Sequence, residues 1–87
     1  MKINKGFVLR NVGGESVVVP IGEMGKKFHG MITLNESGAF LWTFFTEEHT
    51  TYDAVKALVA EYEIDEETAT KDVQAFVDKI VSRGFAQ

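Results

Sequence analysis

The sequence predicts an α+β fold in which three N-terminal antiparallel β-strands are followed by three α-helices. Three observations carry that expectation. Two β-rich runs, residues 7–12 and 15–19, are separated only by Gly13-Gly14. At Leu34-Asn35 the apolar period changes from that of a strand to that of a helix. Beyond that joint, Thr50 and Asp65 each precede an apolar stripe at helical spacing, as helix caps do.

The first strand is Phe7 to Val12 and the second starts at Glu15. A Gly-Gly pair between such runs signals a two-residue hairpin, because a type I′ turn needs positive φ at both central positions. Pro20 has no N–H for a ladder, so the second strand ends or lies at an edge there. Residues 22–25, Gly-Glu-Met-Gly, read as the next turn, and residues 26–34 as the third strand. Its alternation puts Phe28, Ile32 and Leu34 on one face and Lys27, His29, Met31 and Thr33 on the other. Gly30 interrupts the run and marks a bulge or a close backbone approach. This third strand is the candidate edge, whose unpaired N–H and C=O groups invite another chain.

Asn35 is a good N-cap for the first helix, since its side-chain oxygen can accept from an orphan N–H of the first turn. Ser37, Gly38 and Ala39 are small and let that turn approach a neighbour closely. Phe40, Leu41, Trp42, Phe44 and Phe45 then cover much of the circumference, so this helix is expected to be central and to end near Glu47. Thr50 with Asp53 fits a capping box, and Val55, Leu58, Val59 and Tyr62 make a surface-helix stripe. Asp65 caps the third helix, with Ile64 and Ala69 placed for a hydrophobic staple. Its inward stripe is Ala69, Val73, Phe76, Val77 and Ile80. Arg83 suits the helix dipole in the last turn. Gly84 is placed as a left-handed closing residue, with Phe85 making the accompanying apolar contact.

Size and composition bound the function. At 87 residues, 45% hydrophobic and 25% charged, the chain reads as one ordinary globular domain over residues 1–87. So short a chain buries only ~60–65% of its unfolded surface, so its core is thin. It has no cysteine, which excludes disulfides and thiolate metal sites. No apolar run reaches the ~20 residues that span a bilayer, and the start of the chain lacks a signal-peptide core. The expected location is cytoplasmic and no membrane partner is expected. The glycosylation-like Asn35-Glu36-Ser37 then carries no meaning.

No catalytic constellation is present, so the protein reads as a non-enzyme without a cofactor. His29 and His49 lie in different elements with no companion ligand at metal spacing. Gly13-Gly14 is not a phosphate loop, because neither a Lys-Ser/Thr nor a helix follows it. Ser16, Ser37 and Ser82 have no nucleophile-elbow context. The acidic run Glu61, Glu63, Asp65, Glu66 and Glu67 surrounds a helix start, where carboxylates are favoured, and lacks the spacing of a calcium loop. The alternative is a winged-helix DNA-binding regulator. The net charge of −4 and the polar residues of the third helix weigh against it. Glu66, Glu67, Asp72 and Asp78 outnumber Lys71, Lys79 and Arg83, whereas a recognition helix faces phosphates on both sides. No nucleic-acid partner is expected.

The stretch Met31-Ile-Thr-Leu-Asn35-Glu-Ser-Gly-Ala-Phe-Leu-Trp42 resembles the strand-to-helix junction of PqqD-like proteins. So does the frame Asp72-Val-Gln-Ala-Phe76-Val-Asp-Lys-Ile80 followed by Arg83-Gly84-Phe85. The resemblance covers nearly the whole chain. It implies a winged-helix-like fold and the role of a peptide-binding chaperone, a RiPP recognition element. Such a domain binds the leader of a ribosomally made precursor peptide and presents it to a modifying enzyme, often of the radical S-adenosylmethionine type. The leader adds as a strand beside the third strand and packs on the third helix.

Strand addition draws affinity from backbone hydrogen bonds and specificity from side-chain pockets. The expected peptide-binding residues are therefore Lys27, Phe28, His29, Met31, Ile32 and Thr33 at the edge. Ala69, Val73, Phe76, Val77 and Ile80 are the candidates for the wall, most of that stripe also being needed by the core. The same open edge is able to pair with a second copy of the chain, giving a homodimer that masks the site.

Overall fold

The computed structural model describes residues 1–27 and 31–86. Strands β1 (Phe7–Val12) and β2 (Glu15–Pro20) form an antiparallel hairpin in which Val12 faces Glu15 and Phe7 faces Pro20. Gly13 and Gly14 join them with φ of +60° and +85°, the pair of positive angles that a type I′ turn demands. The Gly14 N–H donates to Asn11 Oδ1 at 3.2 Å, which pins the turn. Strand β3 (Ile32–Leu34) pairs antiparallel with β2, so the order is β1-β2-β3 and β3 is a terminal strand.

The third strand is shorter than its alternation predicts. A single helical turn, α1 (Met24–Lys27), occupies the segment where residues 26–34 were expected to be extended. Lys26 and Lys27 are therefore helical, and Phe28, His29 and Gly30 lie outside the described residues. The cause is local. Gly22 turns the chain at φ +58°, and the N–H groups of Met24, Gly25 and Lys26 each donate to a carbonyl three residues earlier. Met24 packs against the core. A Cβ on Gly6 would come 2.4 Å from the Met24 side chain, so that glycine, at φ +100°, leaves it room. Backbone satisfaction and one apolar anchor outweigh a period-2 pattern only a few residues long.

Helix α2 (Glu36–Phe44) opens on Asn35, whose Oδ1 accepts from Gly38 N at 2.8 Å and from the Ser37 hydroxyl at 3.2 Å. It buries Gly38, Leu41 and Trp42 and ends at Phe44, slightly before the expected Glu47. Helix α3 (Thr51–Tyr62) starts on Thr50, whose hydroxyl accepts from Asp53 N at 3.0 Å. Helix α4 (Glu66–Ser82) starts on Asp65, which accepts from Thr68 N at 2.7 Å. All three predicted caps act as caps. At the far end Gly84 takes φ +82°, its N–H reaches Val81 O, and Phe85 N reaches Ile80 O at 3.0 Å. That is a Schellman closure, and it turns Phe85 inward. The Phe85 ring meets Phe7 edge-on at 4.6 Å and Trp42 at 6.0 Å.

The core lies between the inner face of the sheet and the three long helices. Val18, Leu41, Trp42, Phe45, Leu58, Val73 and Ile80 are its largest fully enclosed side chains. The first residues of the chain close it: Ile3 N donates to Phe45 O and Asn4 N to Phe85 O, each at 2.8 Å. A bridge between Ile3 and Ala86 joins the two ends of the described chain. No helix among the described residues is long and apolar enough to cross a membrane.

Candidate functional site

The register fixes which backbone groups of β3 point away from the sheet. The residues flanking a two-residue hairpin loop exchange both backbone bonds, and the pattern then alternates along the pair. Val12 and Glu15 are that flanking pair, and Ile21 N donating to Gly6 O at 2.8 Å agrees with it at the other end. Odd-numbered residues of β2 thus bond β1, and Ser16 and Val18 turn their backbone groups towards β3. Their partners there are Leu34 and Ile32. The N–H and C=O of Thr33 consequently point to the open side, as do those of Met31 if the alternation is continued by one step. The side chains follow the opposite rule: Ile32 and Leu34 are buried, while Met31 is 65% exposed.

Beside that open edge runs a groove of about 380 Å³ between β3 and α4. Thr33, Leu34 and Asn35 form one wall, and Asp72, Ala75, Phe76 and Lys79 the other. Ser37, Gly38 and Leu41 of α2 make the floor. The small first turn of α2 lets that helix approach β3 closely, since a Cβ on Gly38 would come 3.3 Å from Leu34 Cβ. Past Asn35 the depression continues along Asp72 to Glu36, Tyr62 and Ile64. A side branch reaches Gly14, Glu15 and Ser16. Tyr62 donates its hydroxyl to the Glu36 carbonyl at 3.3 Å and meets the Phe40 ring edge-on at 5.7 Å. Partial burial, with the Glu36 and Glu61 carboxylates nearby, pushes the Tyr62 phenol up, so it stays a neutral donor.

Of the residues expected to bind peptide, Met31, Ile32 and Thr33 lie on or next to β3, with only Thr33 lining the groove. Lys27 sits in the helical turn α1, so it presents no strand edge, and Phe28 and His29 are outside the described residues. Ala69, Val73 and Ile80 are completely enclosed core. Val77 is half-buried against the core, and Phe76 alone of the stripe reaches the groove. The groove is also lined by Asp72, Ala75 and Lys79, which the sequence reading did not single out. With Phe76 they occupy positions i, i+3, i+4 and i+7, a second stripe about a quarter turn round the helix from the core stripe. A lone Ala facing the small residues of α2 was the available signal. Among the described residues no cluster of side chains could hold a metal ion. The exposed charges of α4 mix both signs and form no basic face.

A profile of the family described as coenzyme PQQ synthesis protein D (PqqD) matches residues 8–86. The chain belongs to the PqqD family. The resemblance carried by the Leu34-Asn35 junction and the α4 frame is thus met over nearly the whole PqqD-like chain. No curated protein matches it in sequence. Two solved structures share its fold. One is TbiB1 in complex with the TbiA(beta) leader peptide, with a TM-score of 0.74 and 22% identity, covering 98% of this chain and 93% of that one. The other is a lasso peptide synthetase B1 complexed with the leader peptide, with a TM-score of 0.76 and 20% identity, covering 99% and 95%.

Proposed function

We propose that this PqqD-family protein binds the leader segment of a ribosomally synthesised precursor peptide by strand addition and presents it to a modifying enzyme. The carrying observation is the outward-facing backbone of Thr33 beside the groove between β3 and α4. Its relatives in fold are proteins described in complex with leader peptides, which supports the same class of ligand here. A peptide strand would bond the Thr33 backbone, continue past Met31, and set alternate side chains against Phe76, Ala75 and Leu41. A disordered leader loses chain entropy on binding, and an edge anchored at the Asn35 cap limits the total cost.

In this reading the protein is a single non-catalytic domain that acts in the cytoplasm and needs no cofactor. Its enzyme partner is of the radical S-adenosylmethionine type, and a homodimer formed through β3 would compete with the leader. A ¹⁵N-NMR titration with the N-terminal half of the cognate precursor tests the reading. Amide shifts should concentrate at residues 31–35 and 72–79. Ala75→Gln fills the groove from an exposed position without entering the core, and should weaken binding about tenfold while leaving the melting temperature almost unchanged. Saturating peptide that leaves the β3 amides unmoved would overturn strand addition at this edge.

A further inference from the structure

We infer that the leader segment taken by this groove carries a basic, an apolar and an acidic residue, in that order, at alternate positions. The inference rests on the strand-addition reading and concerns this chain's own charges. Asp72 and Lys79 both line the groove, and among the described residues neither side chain has an ion-pair partner. They sit seven positions apart on one face of α4, about 10.5 Å along the helix axis. Phe76 and Ala75 lie between them.

The two ends of the groove differ in sign. At one end Asp72 shares its depression with Glu36, and Glu15 lines the adjoining branch. The N-terminus of α2 opposes them with only about half a positive charge, and Asn35 already takes the Gly38 N–H, so this end remains negative. At the other end stands Lys79, with the exposed Arg83 one turn further on. Asp72 is grouped with Asn35 and Ser37, just beyond the C-terminal end of β3. Helix α4 therefore runs antiparallel to β3 along the groove, and Lys79 lies towards the N-terminal end of that strand.

Direction follows from the sheet. Every strand pair is antiparallel, and antiparallel ladders are slightly the more stable per residue. A leader added antiparallel to β3 enters at the Asp72 end and leaves at the Lys79 end. Side chains on one face of a strand recur every two residues, about 6.7 Å. Positions i and i+4 span about 13 Å, which brackets the Asp72–Lys79 separation once the long charged side chains lean inward. Position i+2 then lies over Phe76 and Ala75. A cationic residue meets Asp72, an apolar one seats on the groove wall, and a carboxylate meets Lys79.

Selection of a randomised peptide library on the immobilised full chain tests this. Enrichment of the order basic, apolar, acidic at alternate positions is the expected result. The exposed double variant Asp72→Lys with Lys79→Asp should select the reversed order. It should also bind the wild-type winner at least fivefold more weakly, an effect that fades in high salt. Circular dichroism melts confirm that the variant is folded. Peptides that bind at β3 with no charge order, or with acidic before basic, overturn the inference and leave strand addition standing. If no peptide is enriched, the strand-addition reading falls and the inference falls with it.

Discussion

Gly38→Ala sets three effects of known size against one another at the floor of the groove. Alanine is favoured over glycine in a helix interior by up to about 1 kcal/mol, and less in the first turn, where Gly38 sits. Against that gain, a Cβ on Gly38 would lie 3.0 Å from Asn35 Oδ1, 3.3 Å from Leu34 Cβ and 3.5 Å from Leu34 Cδ2. Leu34 is core and cannot retreat without moving β3. The Asn35 oxygen is the atom that caps the helix through Gly38 N. Moving it gives up part of a cap that is worth about 1 kcal/mol. Overpacking adds about 1 kcal/mol or more. The net expectation is destabilisation by about 1–2 kcal/mol, a fall in melting temperature on the order of 5–15 °C for a domain of this size. Urea unfolding followed by the fluorescence of Trp42, the sole tryptophan and almost fully buried, reads the change directly. A companion Asn35→Ala variant should itself lose about 1 kcal/mol. The double variant should lose less than the two single losses added together, because the cap is already gone. A midpoint for Gly38→Ala equal to or above that of the parent would refute the reasoning, since helix propensity would then outweigh the close approach.

Further outcomes are expected elsewhere. Met31 lies one residue ahead of β3, where continued alternation turns its N–H away from β2, so Met31→Pro should leave the fold intact while leader affinity in a fluorescence-polarisation titration falls; unchanged affinity argues against docking at this edge. Glu63 closes α3 in the left-handed region at φ +52°, so Glu63→Gly should raise the thermal midpoint, by about 0.5–1 kcal/mol of added stability. Asp65 is held below the ordinary carboxylate value by its hydrogen bonds from Thr68. A depressed carboxyl stabilises fully above its unfolded value of about 3.9, and the benefit is lost as pH falls through the lower folded value. Asp65→Asn keeps a competent cap without that titration, so its melting temperature should fall less steeply than the parent's below about pH 4. Some slope remains, because Glu48 is also lowered, first by its bond from the Met1 ammonium.

Legibility of the sequence tracked how local the deciding physics was. Gly13-Gly14 supplies the positive φ that a two-residue hairpin turn needs, and Asn35, Thr50 and Asp65 carry their own caps, so these features were readable residue by residue. Gly84 and Phe85 likewise announced the end of α4. The third strand was overextended because the anchoring of Met24 beside Gly6 joins residues far apart in sequence, and alternation records nothing of it. The groove was located by element and missed by residue for a related reason. A stripe such as Ala69, Val73 and Ile80 shows which side of a helix is apolar, and the core claimed it entirely. The groove-lining margin comprises Asp72, Ala75 and Lys79, whose mixed character resembles any solvated helix face until α2 and β3 are placed against it.

The contact between the two ends of the described chain bears on the order of folding events. The hairpin, the α3–α4 pair and each cap join residues close in sequence, whereas Asn4 Nδ2 reaches the Gly84 carbonyl across 80 positions. Closing so long a loop from an unfolded chain carries an entropic cost that grows with the logarithm of its length. Once the sheet and helices have assembled, most of that cost has already been met, so the Ile3–Ala86 bridge is expected to form late, as a seal on a nearly complete core. Interactions absent from the transition state govern how fast a protein opens and hardly affect how fast it folds. Weakening the short segment ahead of β1 is therefore expected to shorten the lifetime of the native state without touching the groove on β3.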